Sequence, residues 1–398
     1  MREKVLHITT VDVTLEEVII DKMKELKKYG YDIELMSDIK YVEAGGSVHI
    51  NLIKQAGFTH HLIPINEAIS PWKDIKSMLK IKRFLENHPY DIVHTHTAKA
   101  GVIGRIAARL AKQPVIVHTS HGLPFYEGQS KVKNLFYKLA EKFSSYFSDG
   151  YFSQNKEDLK KIESFVPKRV ITGYEGNGID LSKLDAFGRI TKEQVENNKQ
   201  ELGIDQEDFI FLMGARFEPV KNHYMLLKSL TQIANNHVKV LLAGQGSLEK
   251  EIKQFAERER LTDKVVFLGY RKDLLRFMQI ADAIILTSEK EGVPRILMEA
   301  MACKKPVLAT DVLGTNELVV HHKTGELVEL NDHYKLAEIM DKWSSKTYTE
   351  TLKQYGHHGR KRIEEHFTEQ VVAKRIHHFY QQIMAEKFAK KHMNKKVL

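Results

Sequence analysis

Short apolar runs alternate with longer amphipathic stretches along almost all of this chain, and no other feature limits its possible folds so strongly. A strand followed by a helix-length segment, many times repeated, builds parallel sheets flanked by helices, because a parallel neighbour is reached only through a crossover of about a dozen residues. A first series predicts strands at 5–9, 33–36, 61–65, 92–95, 115–119 and 150–153. A second predicts them at 209–215, 238–243, 265–268, 283–287 and 306–310. The stretch from 180 to 206 is polar and shows no clear strand, which puts a junction near 172–205. The expected architecture is α/β, two doubly wound domains facing each other across a cleft. The expected boundaries are 1–180, 181–205 for the interdomain segment, 206–367, and 368–398 for a final helix and tail. The 398 residues suffice for two or three domains with full-sized cores.

Composition removes several alternatives. With 23 Gly and only 9 Pro there is no collagen-like or low-complexity character. The single cysteine, Cys303, excludes an intramolecular disulfide and a Cys-rich zinc site. It reads as a small buried hydrophobe in a reducing, cytoplasmic setting. No apolar run approaches the roughly 18–20 residues of a membrane span, and the opening residues lead straight into a strand, so a soluble, unprocessed protein is expected. The net charge of +9 suggests nucleic acid at first, but five lysines and no acid lie between 387 and 398. That segment reads as a solvated basic terminus or as an attraction toward anionic lipid, and nucleic-acid binding is not expected.

In open α/β sheets ligands collect beyond the carboxyl ends of the strands, so chemistry is sought there. The richest such stretch runs from 284 to 302. A buried strand ends at Ser288, a loop carries Glu291 and Gly292, and Val293-Pro294 leads into a helix containing Leu297 and Glu299. Free amides at a helix start, with Gly292 permitting close approach, suit a phosphate, and the two carboxylates suit sugar diols. The simpler readings are a helix-dipole contact for Glu291 and a solvated face for Glu299. One strand, 209–215, delivers Arg216 after Gly214 and Ala215, with Lys221 shortly beyond. A guanidinium fork and an ammonium together suit a diphosphate and its departure as a leaving group. Gly244 and Gly246 form a tight turn after the next strand, without the full dinucleotide fingerprint. In the first half, strands end at His94-Thr95-His96 and at His118-Thr119-Ser120-His121. No carboxylate or cysteine completes a metal signature there, and no D-x-D pair occurs to bridge a metal to a diphosphate. Walker and nucleophile-elbow motifs are also missing from the sequence.

From residue 5 to about 380 these motifs resemble, in order, those of family 4 glycosyltransferases of the GT-B architecture, which consists of two Rossmann-like domains. Glu291 to Glu299 is similar to the family's E-x7-E donor motif. Gly214-Ala215-Arg216 with Lys221-Asn222 resembles its diphosphate clamp, with Ala215 interposed. His121-Gly122 and Asn177-Gly178-Ile179-Asp180 match two further landmarks. The segments 9–12, 69–71, 94–101 and 121–125 resemble the bacterial subgroup that assembles capsule, exopolysaccharide or O-antigen. In one place the chain departs from the family: the first loop reads Thr9-Thr10-Val11-Asp12 where many members carry a glycine pair.

The resemblance implies retaining transfer from a nucleotide sugar, UDP-linked by family default, with no obligatory metal. Arg216, Lys221 and the amides near Pro294 would stabilise the departing diphosphate. Glu291 would contact the sugar hydroxyls, Glu299 the ribose, Tyr270 and Arg271 the region of the base, and His121 the sugar. Thr10, Asp12, His96, Lys99 and His121 are the acceptor-side candidates. The implied acceptor is a glycan or polyprenyl-linked glycan. Basic, apolar helices near 72–86 and 131–147 suggest peripheral contact with the inner face of the plasma membrane. The stretch 368–388 would return to brace the first domain. The competing readings are a sugar-nucleotide epimerase of the same architecture and a non-catalytic subunit of an assembly complex.

Overall fold

The computed structural model describes residues 2–40, 47–66, 68–125, 129–188 and 190–395, with side chains through 389. The chain divides into two compact units, Met1–Gly178 with Glu369–Leu398, and Ile179–Thr368.

The first unit is built on seven parallel strands: β1 (Lys4–Val11), β2 (Asp32–Asp38), β3 (Thr59–Leu62), β4 (Ile92–His96), β5 (Val115–Ser120), β6 (Gly150–Ser153) and β7 (Ile171–Tyr174). They lie in the order β3-β2-β1-β4-β5-β6-β7. The second has six: β8 (Phe209–Gly214), β9 (Val238–Ala243), β10 (Val265–Gly269), β11 (Ala283–Leu286), β12 (Val307–Thr310) and β13 (Gly325–Val328), ordered β10-β9-β8-β11-β12-β13. Both sheets are Rossmann-like and reverse direction once, between β1 and β4 and between β8 and β11. At such a switch point the flanking loops part and leave a crevice at the strands' carboxyl ends.

Parallel strands are covered on both faces, so their side chains alternate between two cores. In the first unit Leu6, Ile8, Val93 and Ile116 face one way, toward Ile81, Leu85, Ile103 and Ala107. Val5, Ile92, Val115, Val117 and Phe152 face the other way. That face is covered partly by the last helix, Glu369–Lys395, through Val372, Ala373, Ile376, Tyr380 and Ile383. Phe379 stacks on Phe152 with ring centroids 4.4 Å apart, and its ring occupies the place a Cβ on Gly173 would need. The second unit closes around one large core in which Trp343 is fully buried.

Four local expectations change. The strand expected at 61–65 runs instead from Thr59 to Leu62, because Pro64 has no amide to continue the ladder although Ile63 and Ile65 are buried. Strands β7 and β13 were not expected; each is a four-residue edge strand containing a glycine, Gly173 or Gly325. The segment 181–205 is no bare connector. It holds the helices Leu181–Ala186 and Lys192–Glu201, and Leu181, Leu184, Ile190, Val195 and Leu202 pack on the second core. The second helix starts with a capping box between Thr191 and Gln194, and Val195 is its one apolar residue, although Asn198 and Lys199 are buried as well. Finally, the basic terminus continues the last helix to Lys395, and Lys387 pairs with Asp149 at 2.6 Å. The tail's remaining lysines lie outside the residues whose side chains are described.

Candidate functional site

In the second unit the groups singled out by sequence gather at the carboxyl ends of β8 and β11, the paired strands beside the switch point. After β8 the backbone is clamped by the turn that follows β9. The Ala215 amide donates to Ala243 O at 2.9 Å, the Phe217 amide to Gln245 O at 3.1 Å, and the Leu248 amide to Phe217 O at 2.9 Å. Gly244 and Gly246 are glycines for this reason: a Cβ on either would strike the backbone of Ala215 or Phe217. Gly214 likewise lies against Leu274 and Ile296. Arg216 projects from this rigid loop, exposed, and its guanidinium has no ion pair among the described residues.

Lys221 closes a single tight turn, Pro219–Lys221, and Asn222 then caps the helix His223–Leu230 from a left-handed conformation, φ 46°. The turn is held to β11 by the Thr287 hydroxyl, which donates to Asn222 O at 3.0 Å, and by the Glu289 amide, which donates to Val220 O at 2.8 Å. Lys221 Nζ thereby reaches Glu291 Oε1 at 2.5 Å, and the Ser288 hydroxyl donates to the same oxygen at 2.6 Å. The Glu291 amide donates to Leu313 O at 3.1 Å, and Gly314, φ 88°, lets the chain pass directly over the Glu291 and Gly292 carbonyls. The loop is fixed on both sides.

Pro294 is the N-cap of the helix Arg295–Ala302, and no side chain caps it. The Leu297 and Met298 amides turn back to Pro294 O at 3.1 and 3.2 Å, while the Val293 and Leu297 side chains belong to the core. Glu299, one turn along, accepts from Arg295 Nε at 2.9 Å. Beyond β10, Tyr270 is largely exposed, and Arg271 forms a two-pronged pair with Asp273 at 2.7 and 2.8 Å while lying over the Phe277 ring. A larger cavity of about 610 Å³, lined by Asp185, Cys303, Lys305 and Arg360, lies near the amino ends of the strands and brings none of these groups together.

In the first unit the carboxyl ends of β1, β4 and β5 carry a buried polar cluster. In register, His7 lies beside His94, and His96 beside Thr119. The alternation that turns Val5, Ile92 and Val117 into the core turns His7, His94, His96, Thr119 and His121 to the same face, further along the strands. His96 joins His7 at 2.9 Å and His121 at 3.0 Å, and His94 joins Tyr380 Oη at 2.6 Å and Thr119 at 2.7 Å. Thr119 donates in turn to Glu175, whose other oxygen holds the fully buried Lys22 at 3.2 Å. Burial, reinforced by Lys22, holds His7 and His121 down to about 3, and burial holds His94 and His96 well below the usual imidazole range, so all four are neutral near pH 7. One ring nitrogen from each of His7, His94 and His96 lies within 4.8 Å of the other two, but all six nitrogens of the three rings are engaged in hydrogen bonds.

The other acceptor-side candidates have structural partners. Asp12 is buried; it accepts from the Val13 and Lys40 amides at 2.9 and 3.0 Å and from Ser47. Lys99 pairs with Asp74 at 2.7 Å and donates to Ala68 O. Thr10 bonds Thr97 at 2.8 Å. Thr97 itself has φ 61°, a costly backbone for a β-branched residue, and its hydroxyl donates to His96 O at 2.6 Å. Sequence reasoning gave no role to His7, Glu175, Gly314 or Tyr380, and met Thr97 and Ser288 only as members of longer segments. Of these, only His7 carried a readable signal, its place two residues beyond Val5 on a strand beside 94 and 96.

Residues 4–155 match the family model of glycosyl transferase 4-like proteins, and residues 194–362 that of glycosyl transferases group 1. Together with the two Rossmann-like units, these matches define a GT-B glycosyltransferase. The chain is 33% identical, over 66% of its length and 69% of the relative's, to UDP-Gal:alpha-D-GlcNAc-diphosphoundecaprenol alpha-1,3-galactosyltransferase of Escherichia coli. It is 27% identical, over 96% of its length and 98% of the relative's, to the capsular polysaccharide biosynthesis glycosyltransferase CapM of Staphylococcus aureus. A solved structure of Anabaena Alr3699/HepE in complex with UDP shares the fold at TM-score 0.79 and 21% identity, covering 95% of this chain and 100% of that one. The chain therefore belongs to the family 4-like, group 1 glycosyltransferases.

Proposed function

We propose that this enzyme moves a sugar from a nucleoside diphosphate sugar, UDP-linked, to a glycan or polyprenyl-linked glycan in bacterial surface polysaccharide assembly, with retention at the anomeric carbon. The observation that carries this reading is the pre-built cluster at β8 and β11, where Lys221, Ser288 and Glu291 are locked together and Arg216 stands exposed on a hydrogen-bonded loop, without an ion pair among the described residues. The Lys221 ammonium has three hydrogens and gives only one to Glu291, so it remains able to bind phosphate. Arg216, Lys221 and the amides around Gly292-Val293-Pro294 would stabilise the charge that develops on the leaving diphosphate. Donors fixed before the reaction are effective because they need no reorganisation. Glu291 would accept from sugar hydroxyls, Glu299 from the ribose diol, and Tyr270 and Arg271 would flank the base. His121 would meet the transferred sugar. The departing phosphate would take the acceptor's proton, and no metal ion is required in this scheme.

The E. coli relative's name specifies a UDP sugar and a diphosphoundecaprenol-linked acceptor, which supports both halves of the reading. Among the described residues no helix is long and apolar enough to cross a membrane. A lipid-linked acceptor would instead be met at the cytoplasmic surface. The helix Pro71–Asn87 turns Ser77, Ile81 and Leu85 inward and leaves Trp72, Ile75 and Leu79 exposed among lysines, while Phe84 packs on the core. The helix Lys131–Ser145 exposes Val132, Leu135, Phe136, Leu139 and Phe143. Both faces suit an anionic leaflet.

The test is thermal unfolding with UDP, GDP, ADP and CMP, with and without EDTA. UDP at about one hundred times its dissociation constant should stabilise by about 2.7 kcal/mol. That gain should survive EDTA and vanish in Arg216→Ala. No response to any of the four nucleotides would overturn the reading.

A further inference from the structure

The hydrogen bonds around His121 form one unbranched chain, and its chemistry allows only one direction. At its buried end the Glu175 carboxylate, ion-paired to Lys22, can only accept. The single hydroxyl proton of Thr119 goes to Glu175, so Thr119 Oγ1 must accept from His94 Nε2. His94 Nδ1 is then a bare acceptor and takes the proton of Tyr380 Oη at 2.6 Å. With its proton committed, Tyr380 Oη can only accept from His7 Nε2, at 3.5 Å. His7 Nδ1 accordingly accepts from His96 Nε2, and His96 Nδ1 from His121 Nε2 at 3.0 Å. Reversing the last ring alone would set two lone pairs face to face in a buried site, leaving both without a donor.

The direction set at Glu175 thus reaches His121, whose second nitrogen, Nδ1, has no hydrogen-bond partner among the described residues. His121 is half-buried and lines a cavity of about 220 Å³ with Thr97, Ser120 and Gly122. We propose that Thr119, His94, Tyr380, His7 and His96 are positioning residues that lock His121 in its Nε2–H tautomer, so that Nδ1 is offered solely as an acceptor for a hydroxyl of the transferred sugar. This rests on the transferase reading above for the identity of the ligand, but the tautomer itself does not depend on it. The relay links sites far apart in sequence, because Tyr380 comes from the last helix and the histidines from β1, β4 and β5.

The experiment is long-range proton–nitrogen NMR on the full chain labelled with ring-¹⁵N histidine, with His121 assigned by loss of its signals in His121→Gln. The wild type should show a neutral, Nε2-protonated His121 at pH 7. Tyr380→Phe keeps the ring but removes the oxygen that accepts from His7. It should let the three outer rings reverse and populate Nδ1–H at His121, while lowering the transfer kcat about tenfold and leaving UDP affinity unchanged. Thr119→Ser, which keeps the hydroxyl, should retain the wild-type pattern, and Thr119→Val should lose it. A wild-type His121 that is cationic or Nδ1-protonated would overturn the relay whatever the variants do. So would an unchanged tautomer in a folded Tyr380→Phe protein. The expected tautomers in a protein that binds no nucleotide would uphold the relay but overturn the sugar hydroxyl as its ligand, so failure of the transferase reading is distinguishable.

Discussion

Glu291 and Glu299 stand eight residues apart, and their surroundings differ. Glu291 is held by Lys221 and Ser288 inside the β8–β11 cluster, whereas Glu299 lies on the helix and pairs with Arg295. Glu299→Ala is expected to weaken UDP binding about tenfold with little effect on kcat. Glu291→Ala should leave UDP affinity within a few-fold and lower kcat by roughly a hundredfold, the scale of losing one preorganised polar contact. Calorimetric titration and steady-state kinetics separate the two, and equal effects of both would remove the assignment. A second residue-scale consequence concerns acid. Burial keeps His7 neutral down to about 3, while the unfolded chain protonates it near its ordinary 6.5. The folded state therefore binds fewer protons in that window: the contribution is complete above about pH 6.5 and is lost as pH falls toward 3. For one such imidazole the loss is about 2 kcal/mol at pH 5. Urea unfolding at pH 7 and pH 5 should show at least that difference, and coincident curves would contradict it. Arg216, Lys221 and Glu291 could be singled out in the sequence because each stands between a strand and the helix after it, and Glu299 because it stands eight residues beyond Glu291. Their joining was not, since the Lys221–Glu291 contact depends on how β8 and β11 pair. Tyr380 was invisible for the same reason.

The elements were read where an apolar run ended in a turn, and missed where apolar residues were few. Strand β7 has only one fully buried residue, Gly173, and β13 reads Gly-Glu-Leu-Val. Each of these edge strands is four residues long and interrupted by a glycine, so it leaves a weak pattern. Elsewhere the pattern misled by being too apolar, as at 63–65, where Pro64 ends a strand that hydrophobicity alone would extend. The last helix shows the opposite difficulty: its inward residues are spread along many turns among lysines and histidines, yet they fill the sheet face that carries His7 and His94. Ile376 is fully buried there. Ile376→Ala should cost about 2–5 kcal/mol by transfer and cavity terms together. Denaturant unfolding measures this directly, and a loss below about 1 kcal/mol would mean that the helix is not part of that core.

At the scale of the molecule, the exposed residues of the helices Pro71–Asn87 and Lys131–Ser145 belong to the first unit. Trp72 at 81% and Val132 at 79% exposure are unusual for such large apolar side chains. Sedimentation with vesicles containing anionic lipid should carry the protein down, more weakly at high salt, and Trp72→Ala combined with Phe136→Ala should reduce the bound fraction several-fold. Binding that ignores lipid charge and both substitutions would exclude this surface. The way the chain is divided has a different consequence, one of timing. The first unit begins the sequence but is completed only by Glu369–Leu398, with the 190 residues of Ile179–Thr368 made in between. On a ribosome adding about 5–20 residues per second, that delay is roughly 10–40 s. Throughout it the nascent first sheet must wait with the face meant for Ile376 and Tyr380 uncovered, while the second unit, encoded without interruption, is free to finish first. An enzyme whose opening domain is the last to mature should depend on chaperones during synthesis, and slowing translation near its end should lower its yield more than slowing it near its start.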